Sequence, residues 1–389
     1  MIKNIMLAGG LAMLMCLPTS AQGKFSLTGN VKGMPDSVRV VLMDVEDPNG
    51  EYVELAKTNP KGGAFTLSGD IKSPRMGSLL FQVYNKKDES YRTRVSTPVM
   101  LDASALTLEC MCDFDSIYGK RDFKVSGSDI MRQFNEYLSA IEEKERQNDS
   151  VSYLSAQKYF DTNANPDTVR KYNAAKKLTE QELLDAKLRF VAAHPDYNIS
   201  AYVVQRELEN LFTRNATDIN SMADLVKVCP DTARVNTVNK RRNFALKYAL
   251  GIDCPQFSAT TPEGETVDFK QMLNPGKYTF IDFWASWCGP CRAAIPHVRD
   301  LHKKYDGRLD VYSVSVDENE KAWRKAMEKE NMEWRQFHLS GSEQLGKGAQ
   351  AFFITTIPRL VLIDDMGKVI CSTNNPDDVS DMLKSRLGE

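Results

Sequence analysis

Two cysteines in this chain stand three positions apart, in the run Trp287-Cys288-Gly289-Pro290-Cys291. Directly before them, residues 278–284 form a nearly continuous apolar stretch, the pattern of a buried strand. Residues 288–305 read as a helix, so both cysteines fall on its first turn, where their sulfurs come close enough to bond. A helix start offers unpaired N–H groups and a partial positive charge, and both favour thiolate over thiol. Cys288, nearest the helix start, is the predicted nucleophile. Its sulfur is expected to lie exposed at that positive mouth and to titrate near ~7, well below a free cysteine. Cys291, one turn deeper, is the predicted resolving thiol. Gly289 and Pro290 tune the turn between them; the N–H that Pro290 lacks has no partner at a helix start in any case. The chemistry implied is thiol–disulfide exchange: Cys288 attacks a disulfide, a mixed disulfide forms, and Cys291 releases the product while closing a Cys288–Cys291 bridge. That second step needs a proton acceptor. Asp282 lies among Phe280, Ile281, Phe283 and Trp284, a setting that raises a carboxyl pKa and suits a proton shuttle.

Half a zinc site is the competing reading of such a cysteine pair, and it needs two further ligands. His297 and His302 follow on the same predicted helix, and no second close cysteine pair is present, so neither metal nor cofactor is expected. His194, His297, His302 and His338 read as surface or half-buried residues without a role.

The elements around the pair alternate as an α/β layer requires. A second strand is expected at 309–316, a helix at 318–331, a hairpin of 359–363 with 368–371 around Asp364-Asp365-Met366-Gly367, and a last helix near 377–387. Residues 127–250 carry a helical period instead. Ile130, Phe134, Leu138 and Ile141 make one apolar stripe, and Thr179 with Glu182 reads as a capping box opening a helix that His194-Pro195 ends. The polar stretch 146–167 reads as a loop or weak helix, and 202–211 and 241–250 as helical. Residues 24–126 read as all-β, with strands at 24–31, 37–45, 52–58, 64–71, 78–84, 94–101, 105–110 and 122–125. Turns such as Asp47-Pro48-Asn49-Gly50 separate them, which suggests a small sandwich or open barrel.

The run from Phe280 to Arg292 resembles the active-site strand and helix of thioredoxins. The wider segment 251–389 is similar to the envelope branch typified by TlpA and ResA, through Cys254-Pro255-Gln256-Phe257 with Gly264, Ser315-Val316-Asp317, and Ile357 through Asp364. The resemblance implies a thioredoxin fold and thiol–disulfide oxidoreductase activity on protein disulfides. It also implies a cis peptide bond at Pro358, and substrate contacts from Trp287, Ile357 and Pro358. Pro296 resembles the family's proline within the active-site helix. Cys254 departs from the pattern, which usually has alanine there. Residues 24–250 more loosely resemble the β-rich domain and helical spacer that precede such modules in exported bacterial proteins. The Gly-Pro pair between the cysteines resembles reducing thioredoxins, with potentials near ~−270 mV, so a reductase is expected, fed by a membrane electron donor. A disulfide isomerase or oxidase is the enzymatic alternative. A partner-binding module with a vestigial dithiol is the non-enzymatic one.

Composition and the first residues narrow the setting. Fifty basic against 52 acidic residues give a net charge of −2 with no long basic run, so nucleic acid is not an expected partner. Lys3, the apolar stretch 5–17 and Thr19-Ser20-Ala21 read as a signal peptide cut after Ala21, hence a periplasmic or secreted protein. Lipidation at Cys16 is the rival reading, and Met15 before it is not the small residue that reading wants. No later segment reaches the ~20 apolar residues of a membrane helix. Of eight cysteines, cleavage leaves an odd number, so at least one thiol stays free or pairs between molecules. Cys110 and Cys112, two apart in a strand pattern, are expected to be too far apart for an unstrained bridge. Cys229 and Cys254 flank the last helical stretch as a possible tether, and Cys371 reads as a packed core residue.

Overall fold

The computed structural model describes residues 23–46, 51–161, 165–209 and 214–388. The expected leader at 1–21, its alternative lipid site at Cys16, and the turn Asp47-Pro48-Asn49-Gly50 lie outside the described residues. The chain divides into two compact units, 1–139 and 140–389.

The first unit holds β1 (Gly23–Asn30), β2 (Arg39–Asp44), β3 (Val53–Thr58), β4 (Ala64–Ile71), β5 (Arg75–Asn85), β6 (Ser90–Leu101), β7 (Ala105–Cys110) and β8 (Phe123–Ser126), followed by the start of α1 (Asp129–Phe160). Two four-stranded sheets form, ordered β4-β1-β7-β8 and β3-β2-β5-β6. Buried Phe65 and Leu67 alternate with exposed Thr66 and Ser68 along β4, as one solvated face requires. Phe81 of one sheet meets Phe65 and Phe123 of the other, with ring centroids 6.0 and 5.0 Å apart. These rings fill the space between the sheets, and the expected alternatives resolve to a sandwich.

The second unit continues α1 and adds α2 (Pro166–Ala193), α3 (Asn198–Glu207), α4 (Ala216–Asp224) and α5 (Thr232–Ala245). The polar stretch 146–160, expected as a loop or weak helix, is fully helical. Its support is tertiary: Lys144 Nζ donates to Glu182 at 2.7 Å, and Ser155 Oγ donates to Asn173 at 2.9 Å, so α1 and α2 run antiparallel. The capping box at Thr179 is also corrected. Thr179 sits inside α2, its hydroxyl bonded to the Lys176 carbonyl and to Asn148, and Asn165 caps that helix ahead of Pro166. His194 ends α2 as expected.

The remaining elements are β9 (Ser258–Thr260), β10 (Thr266–Asp268), β11 (Tyr278–Trp284), α6 (Gly289–Lys304), β12 (Leu309–Ser315), α7 (Glu320–Glu330), β13 (Arg335–His338), α8 (Gly341–Ala351), β14 (Arg359–Ile363), β15 (Val369–Thr373) and α9 (Pro376–Leu387). One seven-stranded sheet results, ordered β10-β9-β13-β12-β11-β14-β15. Strand β11 is central, parallel to β12 and antiparallel to β14. This is a thioredoxin-like α/β layer. Phe280 and Trp284 of β11 pack with Ile295 and Val298 of α6 and Leu383 of α9 on one face. Ile281 and Phe283 point to the other face, among Phe257, Phe269, Phe337 and Phe352. The helical segment is tied to this layer by ion pairs from Arg170 to Asp377 and Lys177 to Asp378 at the start of α9. Cys229 and Cys254 are separate buried thiols, so no tether joins them. Among the described residues no helix is long and apolar enough to cross a membrane.

Phe269 is fully buried, and its ring lies 4.5 Å from that of Phe257, 5.4 Å from Tyr312 and 5.8 Å from Phe337. Phe269→Ala removes a ring from this closed cluster and should cost about 3–5 kcal/mol. Urea unfolding followed by tryptophan fluorescence measures it; an unchanged midpoint would contradict the packing described.

Candidate active site

Strand β11 ends at Trp284, three residues turn the chain, and α6 begins at Gly289 with Cys288 as its cap residue. The Cys291 N–H donates to the Cys288 sulfur at 3.2 Å, so that sulfur occupies the seat usually held by a capping oxygen. Cys288 and Cys291 are bridged, with Cα atoms 5.3 Å apart. Pro290 sits in the first turn and Pro296 lies inside the helix, where it lacks the N–H that would bond to the Arg292 carbonyl. Trp287 is 70% exposed, while Cys288 is 5% and Cys291 1% exposed. The expectation of an exposed Cys288 sulfur is therefore corrected. In the bridged form the residue packs within the apolar layer under α6, where Ile357 also lies, and Trp287 presents the outward surface beside it.

Asp282 lies on the same face of β11 as Phe280 and Trp284, two residues from each, and so faces the layer that holds Cys291. It is 1% exposed. Burial pushes its carboxyl up to about 7, against a smaller lowering from Ser313. Ser313 Oγ donates to Oδ2 at 3.0 Å, and the Trp334 indole N–H donates to Ser313 Oγ at 2.8 Å. Oδ1 has no hydrogen-bond partner. The sequence pattern offered no structural partner for Asp282; the fold supplies one through β12.

A second buried acid holds the turn before Cys288. Asp317, just past β12, accepts the Ser286 N–H at 2.8 Å, the Ser286 hydroxyl at 2.6 Å and the Ser315 hydroxyl at 2.8 Å. Its carbonyl meets His338 Nε2 at 2.5 Å, and His338 Nδ1 lies 3.0 Å from Ser340 Oγ. His338 is buried with its ring stacked on Trp323, which corrects its reading as a surface or half-buried residue. Ser286 and Asp317 are 31 residues apart, so no local signal joins them. The Ile357–Pro358 bond is cis, as the resemblance implied. Arg359, which follows, is buried, and burial pulls its guanidinium down to about 10.

Two consequences are measurable. Asp282 keeps its proton in the folded chain up to about pH 7, whereas the unfolded chain loses it near about pH 4. Stability therefore falls as pH rises through that window, and Asp282→Asn escapes the loss. The variant's stability relative to wild type should grow by roughly 4 kcal/mol between about pH 4 and about pH 7; a difference independent of pH would contradict the buried proton. Asp317→Ala leaves the Ser286 N–H and two hydroxyls without their acceptor and should cost on the order of 3 kcal/mol. Amide exchange at 285–287 should rise in that variant, and unchanged exchange there would contradict the pinned turn.

The Redoxin family model matches residues 249–385. The thiol-disulfide oxidoreductase ResA of Bacillus cereus is 28% identical over 128 residues, spanning 32% of this chain and 69% of that protein. A thioredoxin of Synechocystis sp. is 37% identical over 62 residues, or 16% of this chain and 58% of that one. Among solved structures, the thioredoxin domain of a thiol-disulfide oxidoreductase from Bacteroides vulgatus shares 25% identity, covering 36% of this chain and 97% of that domain, with a TM-score of 0.33. Residues 249–385 of this chain thus match a redoxin domain, and the relatives it resembles in sequence there are a thiol–disulfide oxidoreductase and a thioredoxin.

Proposed function

We propose that this chain is an exported oxidoreductase that reduces disulfides in proteins of the cell envelope, with Cys288 and Cys291 as the working dithiol. The observation that carries the reading is the seat of the Cys288 sulfur at the start of α6, facing the Cys291 N–H. In the reduced protein the helix start favours the Cys288 thiolate. That thiolate attacks a substrate sulfur, and the substrate's other sulfur leaves as a thiolate. Asp282, a carboxyl balanced near neutrality by burial, accepts the Cys291 proton. Cys291 then attacks Cys288, releases the substrate thiol and closes the bridge. Trp287 offers an exposed apolar face, and the Ile357 backbone before Pro358 is the segment that would pair with the substrate strand.

The leader read at 1–21 supports export. An oxidising compartment then requires a supply of electrons to reopen the Cys288–Cys291 bridge, and a membrane-bound dithiol donor meets that need. The Gly-Pro pair supports the reducing direction. The β-sandwich and helical segment are assigned no chemistry.

Insulin reduction with dithiothreitol as donor tests the assignment. Cys288→Ser should fall to the rate of the reductant alone. Cys291→Ala should instead accumulate a mixed disulfide at Cys288 with proteins of an envelope extract, visible on non-reducing gels. Wild-type turnover by Cys288→Ser would overturn the proposal.

A further inference from the structure

Asp282 is backed by a short chain of buried polar groups. Ser313 stands beside it on β12 in parallel register, and Trp334 lies 21 residues further on, just before β13. Ser313 is 0% and Trp334 4% exposed, so both lie within the core. The indole N–H donates to Ser313 Oγ at 2.8 Å, and Ser313 Oγ lies 3.0 Å from Asp282 Oδ2. An indole nitrogen can only donate, and a serine hydroxyl carries a single proton. Ser313 Oγ therefore accepts from Trp334, and its one proton is committed to Asp282 Oδ2. Asp282 Oδ1 is buried without a hydrogen-bond partner.

We propose that Ser313 and Trp334 are a positioning pair for the proton acceptor: they occupy Oδ2 with a fixed donor and leave Oδ1 as the oxygen that takes the Cys291 proton. The proposal rests on the acceptor role given to Asp282 above. A hydrogen bond from Ser313 is stronger to the carboxylate than to the neutral acid, so it favours the ionised form against the desolvation of the site. Ser313 accordingly lowers the carboxyl where burial raises it, and among the described residues no charged neighbour enters that balance. The bond from Trp334 polarises the hydroxyl in the same sense. The titratable groups turned to this layer are Cys288 and Cys291 from α6, Tyr305 after it, Tyr278 from β11 and Cys371 from β15. Strand β14 places Leu360 opposite Asp282, and α7 and α9 present Trp323 and Leu383. His302 and Arg299 of α6 approach Trp334, at 6.0 and 5.9 Å from its ring.

In the resolving step Cys291 gives its proton to Oδ1 and attacks the Cys288 sulfur of the mixed disulfide. The bond between Cys288 and the substrate breaks, its electron pair leaves with the substrate sulfur, and the Cys288–Cys291 bond forms. The leaving thiolate takes a proton from solvent. The enzyme dithiol is thereby oxidised by two electrons and the substrate disulfide reduced by two. Ser313 touches no reacting atom. It sets the orientation and charge of the acceptor, so its loss slows this step. The first attack draws on the helix start at Cys288 and is left alone.

The two steps separate in the full-length chain carrying Cys110→Ser and Cys112→Ser, which removes two partly exposed free thiols. Reduced and mixed with dithiobis(nitrobenzoate), it should release nitrothiobenzoate in two phases. The first reports attack by Cys288, and the second, absent from Cys291→Ala, reports resolution. The second phase should speed up with pH about a midpoint near about 7, and Asp282→Asn should slow it. Ser313→Ala should move that midpoint up by roughly one pH unit, a roughly tenfold slowing on the acid side, with the first phase unchanged. Trp334→Phe, which keeps a ring and loses the N–H, should move it the same way. Ser313→Thr, which keeps the hydroxyl, should restore it. A wild-type midpoint in both Ser313→Ala and Trp334→Phe, where Asp282→Asn does slow resolution, overturns this inference and leaves Asp282 as acceptor. Equal slowing of both phases also overturns it, since a loosened fold spares neither step. A second phase indifferent to Asp282→Asn overturns the acceptor reading and this inference together.

Discussion

A sulfur at the first turn of a helix is the constraint on which the rest of the C-terminal unit depends. Four N–H groups at a helix start lack partners within the helix, and here one of them, from Cys291, points at Cys288. For that to happen the helix must begin within a few residues of a strand end. The strand must also be central enough to be immobile. Strand β11 meets both conditions, with β12 on one side and β14 on the other. The turn between strand and helix is pinned from below by Asp317, which takes three hydrogen bonds from Ser286 and Ser315. The position of the cysteine, and with it the reactivity proposed for it, thus come from the backbone and its supports.

Asp282 shows the cost of placing chemistry in a core. A carboxyl with one oxygen bonded to Ser313 and the other without a partner is an expensive group to bury. The same desolvation brings its proton affinity close to neutrality, where a proton acceptor works best. Stability is given up at the residue proposed as the proton acceptor, a trade common at functional sites. Asp317 is also a buried carboxyl, but both its oxygens accept hydrogen bonds, and it holds the turn in place.

How much of this was legible follows from the range of each interaction. The apolar run of β11 and the cysteines that follow it carry their own local pattern, so strand, helix and dithiol were readable together, as were the β14–β15 hairpin and the β-rich first unit. The helix through 146–160 was not, because its residues are polar and its support comes from α2. Thr179 misled, since a hydroxyl three residues before an acid looks the same inside a helix as at its cap. Strand β13 is four residues, Arg335 to His338, and α8 contains Gly341, Gly346 and Gly348; neither has the composition of its element. Asp317 and His338 draw their places from partners far along the chain.

Titration of the Cys288 thiolate in the fully reduced protein tests the central proposition most directly. Alkylation rate at Cys288 against pH, with Cys291 replaced by Ala so that one sulfur is read, reports it. A midpoint near ~7, below the ~8.5 of a free cysteine, is the result this account predicts. A midpoint at or above the free value would mean that the helix start does not stabilise the thiolate, and the proposed chemistry would lose its source of reactivity.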